Sequence, residues 1–307
     1  MSSDSRISLT VGPMLYYWPR PALLHFYAEV ADSPADTVVL GETVCSRRHE
    51  MKLDDWLALG ADLQAAGKQV VLATQVLVES EADLRALRRA AEQREFMVEA
   101  GDASALHLLA QAGGPFVLGP HINVYSRAAL AEHAALGAVR WSAPVELPLA
   151  TVGQINPVNQ RVEGIETEVF AFGRMPLAFS ARCFTARHHR LQKDQCEFRC
   201  RDDADGLLLR TEDGEPFLVL NGIQTQSAAQ QCLIGERAAL QAAGVSRLRL
   251  SPCSQRFGEV LGWFDKVMNQ GESADAARIA LDALSLPGGL ANGFAHGRPG
   301  LDLVGAR

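Results

Sequence analysis

Eight short apolar runs recur along the chain, each followed by a stretch with the polar–apolar period of a helix. The runs are ISLTVG (7–12), TVVLG (37–41), QVVLAT (69–74), EFMVEA (95–100), FVLGPH (116–121), AVRWS (138–142), ETEVFAFG (166–173) and RLRLSP (247–252). Continuous runs rich in β-branched residues suit parallel strands covered on both faces. Helical-period segments over 52–66, 80–93, 102–112 and 126–136 lie between them. Ser80 and Asp102 stand where a helix needs an N-terminal oxygen cap, and Gly67, Gly113 and Gly137 stand just past helix ends. Eight strand–helix units predict an α/β fold, a (β/α)8 barrel of the TIM type. The alternative is an open doubly wound sheet, disfavoured because no Gly-rich phosphate loop follows the first run.

The regular order breaks once, after the seventh strand, between 174 and 235. One barrel domain is therefore expected over 1–284, carrying this insertion and followed by a Gly- and Pro-rich tail over 285–307. Within the insertion, LLLRTEDGEPFLVL (207–220) reads as a hairpin turning at EDGE. The 307 residues are 48% hydrophobic, enough for a large core, and carry a net charge of -7 without a basic stripe. Nucleic-acid binding is disfavoured on that ground. No apolar run approaches the length of roughly 18 residues that a membrane span needs. The first residues lack the pattern of a secretory signal, so a cytoplasmic protein is expected, where clustered cysteines bind metal or do redox chemistry more often than they form disulfides.

Three of the six cysteines sit in CFTARHHRLQKDQCEFRC (183–200), spaced C-x12-C-x3-C. Cys45 lies beyond the second strand in GETVC. Both segments follow strand C-termini, so Cys45, Cys183, Cys196 and Cys200 are expected to converge on the face where barrels keep their chemistry. Four thiolates around one centre mean an iron–sulfur cluster or a structural zinc. The irregular spacing leans toward a cluster, while zinc and unrelated cysteines stay open. Arg47, Arg48, Arg182, Arg187 and Lys193 lie close in sequence and could offset thiolate charge, though each taken singly reads as a solvated loop residue. Cys232 reads as a packing residue opening a helix; Cys253, after the eighth strand, lies on the face where it could stand in as a ligand, beside the plainer reading of a packing residue. Glu42, His121 and Glu146 follow strands and are the catalytic candidates; Asn123, Asn221, Gln224 and Thr225 lie on the same rim. His188 and His189 read as surface residues. Common hydrolase, kinase, flavin, nicotinamide and haem signatures are absent.

The segments GPMLYYWPR, ADTVVLGETVCSRRHEMKLDDWL, GKQVVLATQVLV, PLAFSARCFTARHHRLQKDQCEFRC, FLVLNGIQTQS and VSRLRLSP resemble the oxygen-independent ubiquinone-biosynthesis proteins of the collagenase-like (U-thirty-two) peptidase family, over residues 9 to about 295. The resemblance implies a barrel-like fold and a 4Fe–4S cluster on Cys45, Cys183, Cys196 and Cys200. It implies a heterodimer with a sister subunit, UbiU, which has its own cluster, and help from the lipid carrier UbiT. The pair would hydroxylate ubiquinone precursors without O2, with prephenate as the oxygen source. Cys232, Cys253 and the tail fall outside the resemblance. Two other readings stand beside it: a peptidase, from the family name, and a non-catalytic scaffold with a structural zinc on four cysteines.

Overall fold

The computed structural model describes residues 6–162, 164–286 and 288–305. In chain order its first elements are β1 (Ser8–Val11), α1 (Arg20–Ala31), β2 (Thr37–Leu40), α2 (Leu53–Ala65), β3 (Gln69–Ala73), α3 (Glu81–Glu92) and β4 (Met97–Ala100). They continue as α4 (Ala103–Ala112), β5 (Phe116–Leu118), α5 (Arg127–Ala135), β6 (Ala138–Ser142), α6 (Leu149–Ile155) and β7 (Glu166–Phe179). Each of these strands coincides with an apolar run of the sequence. The caps act as their residue types dictate: the side chains of Ser80 and Asp102 accept from the backbone N–H groups of Asp83 and Ala105. Gly113 ends α4 in the left-handed conformation at φ 71.

The barrel closes through β11 (Arg247–Leu250), which pairs in parallel with both β1 and β7. Ser8 to Val11 lie beside Arg247 to Leu250 in register. That closure excludes the open sheet. Between β7 and β11 come α7 (Phe184–His188), β8 (Leu207–Arg210), β9 (Pro216–Asn221), β10 (Gln224–Cys232) and α8 (Arg237–Ala242). The hairpin of β8 and β9 is the expected one, turning over 211–215. β7 does not stop at Gly173. It runs on to Phe179 and pairs antiparallel with β10, so the insertion is an extension of the barrel sheet. Cys232 is the last residue of β10, not the start of a helix. After β11 follow α9 (Phe257–Asn269), α10 (Ala274–Ala283) and β12 (Leu290–Ala291), which lies parallel to β10. Among the described residues no helix is long and apolar enough to cross a membrane.

The main core fills the space between barrel and helices, from Ile7 and Leu9 to Phe264 and Leu281. Inside the barrel a small apolar layer of Val39, Val71, Ala73 and Val117 lies next to buried charges: Glu99, Glu168 and Arg249. Packed side chains filling the barrel make it a core rather than a pore.

Candidate functional site

The Cys45 loop is folded by a carboxylate. Past Leu40 the chain leaves the barrel at Gly41, whose φ is 118 and where a Cβ would sit 2.6 Å from the carbonyl oxygen of Ala73. Only glycine fits that approach. Glu42 then turns its side chain back, and Oε1 accepts from the N–H groups of Val44 at 2.8 Å and Cys45 at 3.0 Å. Burial pushes the Glu42 carboxyl upward, against the opposing pull of Arg48 and those two N–H groups. Glu42 therefore shapes the turn that presents Cys45.

The other three thiols are placed by the insertion. Cys183 caps α7, and its sulfur accepts from the N–H of Ala186 at 3.4 Å. α7 is clamped to the β9–β10 turn: Phe184 N donates to the Gly222 carbonyl, and Gly222 N donates to Thr185 Oγ1. Beyond α7 the backbone enters the left-handed region at Arg190, Glu197 and Phe198, the last two between Cys196 and Cys200. Phe198 is anchored on the Tyr17 ring at 5.5 Å, and the Arg201 guanidinium covers that ring at 4.5 Å.

Cys45, Cys183, Cys196 and Cys200 line one small pocket, and all are free thiols. Arg47, Arg48, Lys193 and Arg199 line it too. Arg48 is 4% exposed, so it is no solvated loop residue. It donates to Leu15 O and Asn221 Oδ1, each at 2.7 Å, and lies 3.7 Å from Glu42. Its positive charge acts on the Cys200 thiol as well. Burial pushes the Cys45 thiol up to about 11 and raises Cys183 and Cys200, while Arg48 pulls each of them down. Arg47 pairs with Asp194 and Lys193 with Glu79, tying the Cys45 loop and the α3 entry to the insertion. Four thiols with a buried cation and no lining histidine or carboxylate form a donor set suited to a thiolate-held metal group. Among the described residues, no three His, Cys, Asp or Glu side chains are grouped closely enough to hold a single ion. Cys232 and Cys253 are buried and line no part of this pocket.

A second, small cavity opens at the C-terminal mouth of the barrel. Arg249 crosses beneath it, bonding Glu168 through Nε at 2.6 Å and Glu99 through both terminal nitrogens. Thr10 and Ser142 also donate to Glu168, at 2.8 and 2.9 Å. Burial drives the Glu168 carboxyl upward, yet Arg249, Arg140 and these hydrogen bonds hold it below the usual carboxylate range. His121 lines the same mouth, edge-on to Phe179 at 4.8 Å. Burial, helped by Arg249, lowers its pKa to about 4, so the imidazole is neutral at pH 7.

The sequence matches peptidase family U32 over residues 24–302. The chain belongs to peptidase family U32. Among solved structures, a U32 peptidase overlaps with this U32-family barrel at a TM-score of 0.44 and 13% identity, covering 82% of this chain and 95% of that one. A phospho-2-dehydro-3-deoxyheptonate aldolase from Thermotoga maritima overlaps at 0.42 and 12%, covering 91% and 71%. A dihydropteroate synthase from Thermus thermophilus overlaps at 0.39 and 15%, covering 86% and 95%. At these identities the overlaps carry nothing about activity.

Of the catalytic candidates in this U32-family chain, only His121 reaches the mouth cavity. Glu42 stands behind Cys45, and Glu146 is exposed and paired with the Tyr125 hydroxyl. Asn123 is exposed, and Asn221 serves Arg48 rather than a pocket. His188 is exposed and His189 half-buried against it. The residues missed by sequence reasoning are Glu99, Glu168 and Arg249. Their signal was present: each run carries a second charged residue besides the one that opens it, Glu99 after Glu95, Glu168 after Glu166 and Arg249 after Arg247.

Proposed function

We propose that this U32-family barrel is a UbiV-like subunit of an oxygen-independent hydroxylase for ubiquinone precursors, with a 4Fe–4S cluster held by Cys45, Cys183, Cys196 and Cys200. One observation carries the reading: four thiols from two distant segments line a single pocket around a buried arginine. The irregular C-x12-C-x3-C spacing with a distant fourth cysteine leans toward a cluster over a structural zinc. Bound there, such a cluster supplies one-electron transfer. The chain's own residues have separate tasks. Glu42 orients the Cys45 loop, Arg48 offsets thiolate charge from the buried side, and the α7 clamp fixes Cys183. A cluster with every iron on cysteine has no open iron, so substrate must bind elsewhere. That requirement fits a heterodimer with a UbiU-like sister subunit, a UbiT-like carrier for the lipid precursor, and prephenate as oxygen donor.

The peptidase reading has only the family's name behind it, since no histidine lines the thiol pocket. The test is genetic. Deleting the gene should stop ubiquinone synthesis in anaerobic cells, with unhydroxylated precursors accumulating, and leave aerobic synthesis intact. A Cys45→Ala, Cys183→Ala double variant should fail to restore it. Normal anaerobic ubiquinone in the deletion strain, or full rescue by the double variant, would overturn the reading.

A further inference from the structure

We infer that the arginine-bearing surface of α7, beside the thiol pocket, is a docking face for an acidic one-electron carrier protein. The inference deepens the cluster reading and rests on it for the electron; the docking rests on the surface alone. Arg182, Arg187 and Arg190 are exposed. None of the three enters an ion pair among the described residues, whereas Arg47, Lys193, Arg199 and Arg201 are all answered by carboxylates. The three bracket Cys183. Arg182 precedes it, Arg187 N donates to the Cys183 carbonyl at 3.1 Å, and Arg190 N donates to the Arg187 carbonyl at 3.0 Å. Cys45, Cys196 and Cys200 are each partly exposed, so a group held by the thiols lies near this surface.

Arg190 is the informative position. It stands just past the end of α7 at a φ of 57, and Leu191 N donates back to the Ala186 carbonyl at 2.8 Å. Glycine usually makes that closure, because a Cβ is strained in the left-handed region. An arginine kept there against the backbone's preference, exposed and unpaired, points to a task outside the fold. The local charge gives the sign of the partner. Between Ser180 and Arg201 six arginines and lysines stand against two carboxylates, in a chain of net charge -7. An acidic protein is therefore repelled by the chain at large and drawn to this face, which orients it on encounter. A phosphate polyanion fits less well. Asp194, Glu197 and Asp202 are exposed among the cations, and Phe198 is packed on the Tyr17 ring, where it cannot stack on a base. At this face the reduced carrier gives up one electron and the thiolate-held cluster gains it; no bond or proton moves.

Two acidic carriers serve as probes, a 2Fe–2S ferredoxin and a flavodoxin, titrated by calorimetry into the anaerobically purified full-length chain. At least one should bind, and raising salt from about 20 to about 200 mM should weaken it roughly tenfold, because exposed charges are screened. Arg182→Gln, Arg187→Gln and Arg190→Gly together should weaken binding about tenfold at low salt, roughly two- to threefold per charge. Arg85→Gln, Arg88→Gln and Arg89→Gln, at exposed positions of α3, make the same change in net charge and should leave affinity within about twofold. Unaltered melting temperature and iron content would show that both triple variants fold. Arg190→Gly alone should melt no lower than the wild type; a lower value would show that the arginine serves the fold. Binding of neither carrier, an equal loss in the α3 variant, or tighter binding of a 20-nucleotide RNA or of phosphatidylserine vesicles would overturn the assignment. So would loss of the sister subunit from the heterodimer in the α7 variant, which would give the face to that subunit. Salt-dependent docking by protein that holds no iron would leave the face standing while the cluster reading fails, and iron-loaded protein that docks neither carrier would do the reverse.

Discussion

The barrel and the insertion solve opposite problems with charged and polar residues. Inside the barrel, Glu99, Glu168 and Arg249 are buried but answer one another, with Thr10 and Ser142 filling the remaining positions on Glu168. In the cysteine-bearing part of the insertion the one α-helix has five residues, and the apolar support is a small cluster of Leu15, Val44, Cys183, Ala186 and Ile223. Three of the five described non-glycine residues at positive φ lie there, at Arg190, Glu197 and Phe198. Such positions cost free energy and persist only where surrounding contacts over-determine them. The barrel carries its own constraints; the insertion has three thiols lining a common space with Cys45. The difference indicates which region should depend on a bound group.

Digestion tests that dependence with the largest effect. Metal-free protein should be cut between 183 and 206 many-fold faster than loaded protein, while the barrel resists in both, because a group that binds only the folded segment stabilises it. Equal resistance of the two forms would mean the insertion orders itself. Within the barrel, Arg249→Met should cost about 3–5 kcal/mol in urea unfolding, since it leaves two buried carboxylates unpaired. A loss below about 1 kcal/mol would show that they behave as a surface pair does. Gly173→Ala should cost about 1–3 kcal/mol, from a φ of 118 and the Ser251 contact; an unchanged urea midpoint would refute the crowding. The smallest effect concerns pH. The His121 pKa is lowered from 6.5 to about 4, so between those values the unfolded chain takes up a proton that the folded chain refuses. Its stabilising contribution is full above 6.5 and is lost as pH falls through that window. Arg249 and Glu99 face the same cavity and are paired with each other. His121→Phe should therefore lose less stability than the wild type over this interval, and parallel losses would place the imidazole in solvent.

Much of the barrel was legible because parallel strands covered on both faces leave long β-branched runs, as in QVVLAT and TVVLG. The caps at Ser80 and Asp102 were legible because one side-chain oxygen does the work. β10 was not. Its sequence, QTQSAAQQC, has no β-branched run, and its burial comes from pairing with β7 and β9, a long-range choice no local pattern records. That is why Cys232 read as helical. The site was half legible for a related reason. The grouping of Cys45 with Cys183, Cys196 and Cys200 follows from both segments leaving the barrel at strand C-termini, whereas the burial of Arg48 depends on Leu15 and Asn221, far away in sequence. The ion cluster on Arg249 was hidden because a glutamate inside an apolar run passes for a local exception until the opposite strand is known.

If the four thiols hold one iron–sulfur group, the two remaining cysteines should be dispensable for it. Iron, acid-labile sulfide and zinc should be measured on anaerobically purified wild type, Cys183→Ala and Cys232→Ala. The wild-type protein should be brown, with iron and sulfide in roughly equal amounts, as a cube held by four thiolates requires. Cys183→Ala should lose most of the iron, and Cys232→Ala should keep it. Stoichiometric zinc without iron, or iron retained in full by Cys183→Ala, would contradict the account.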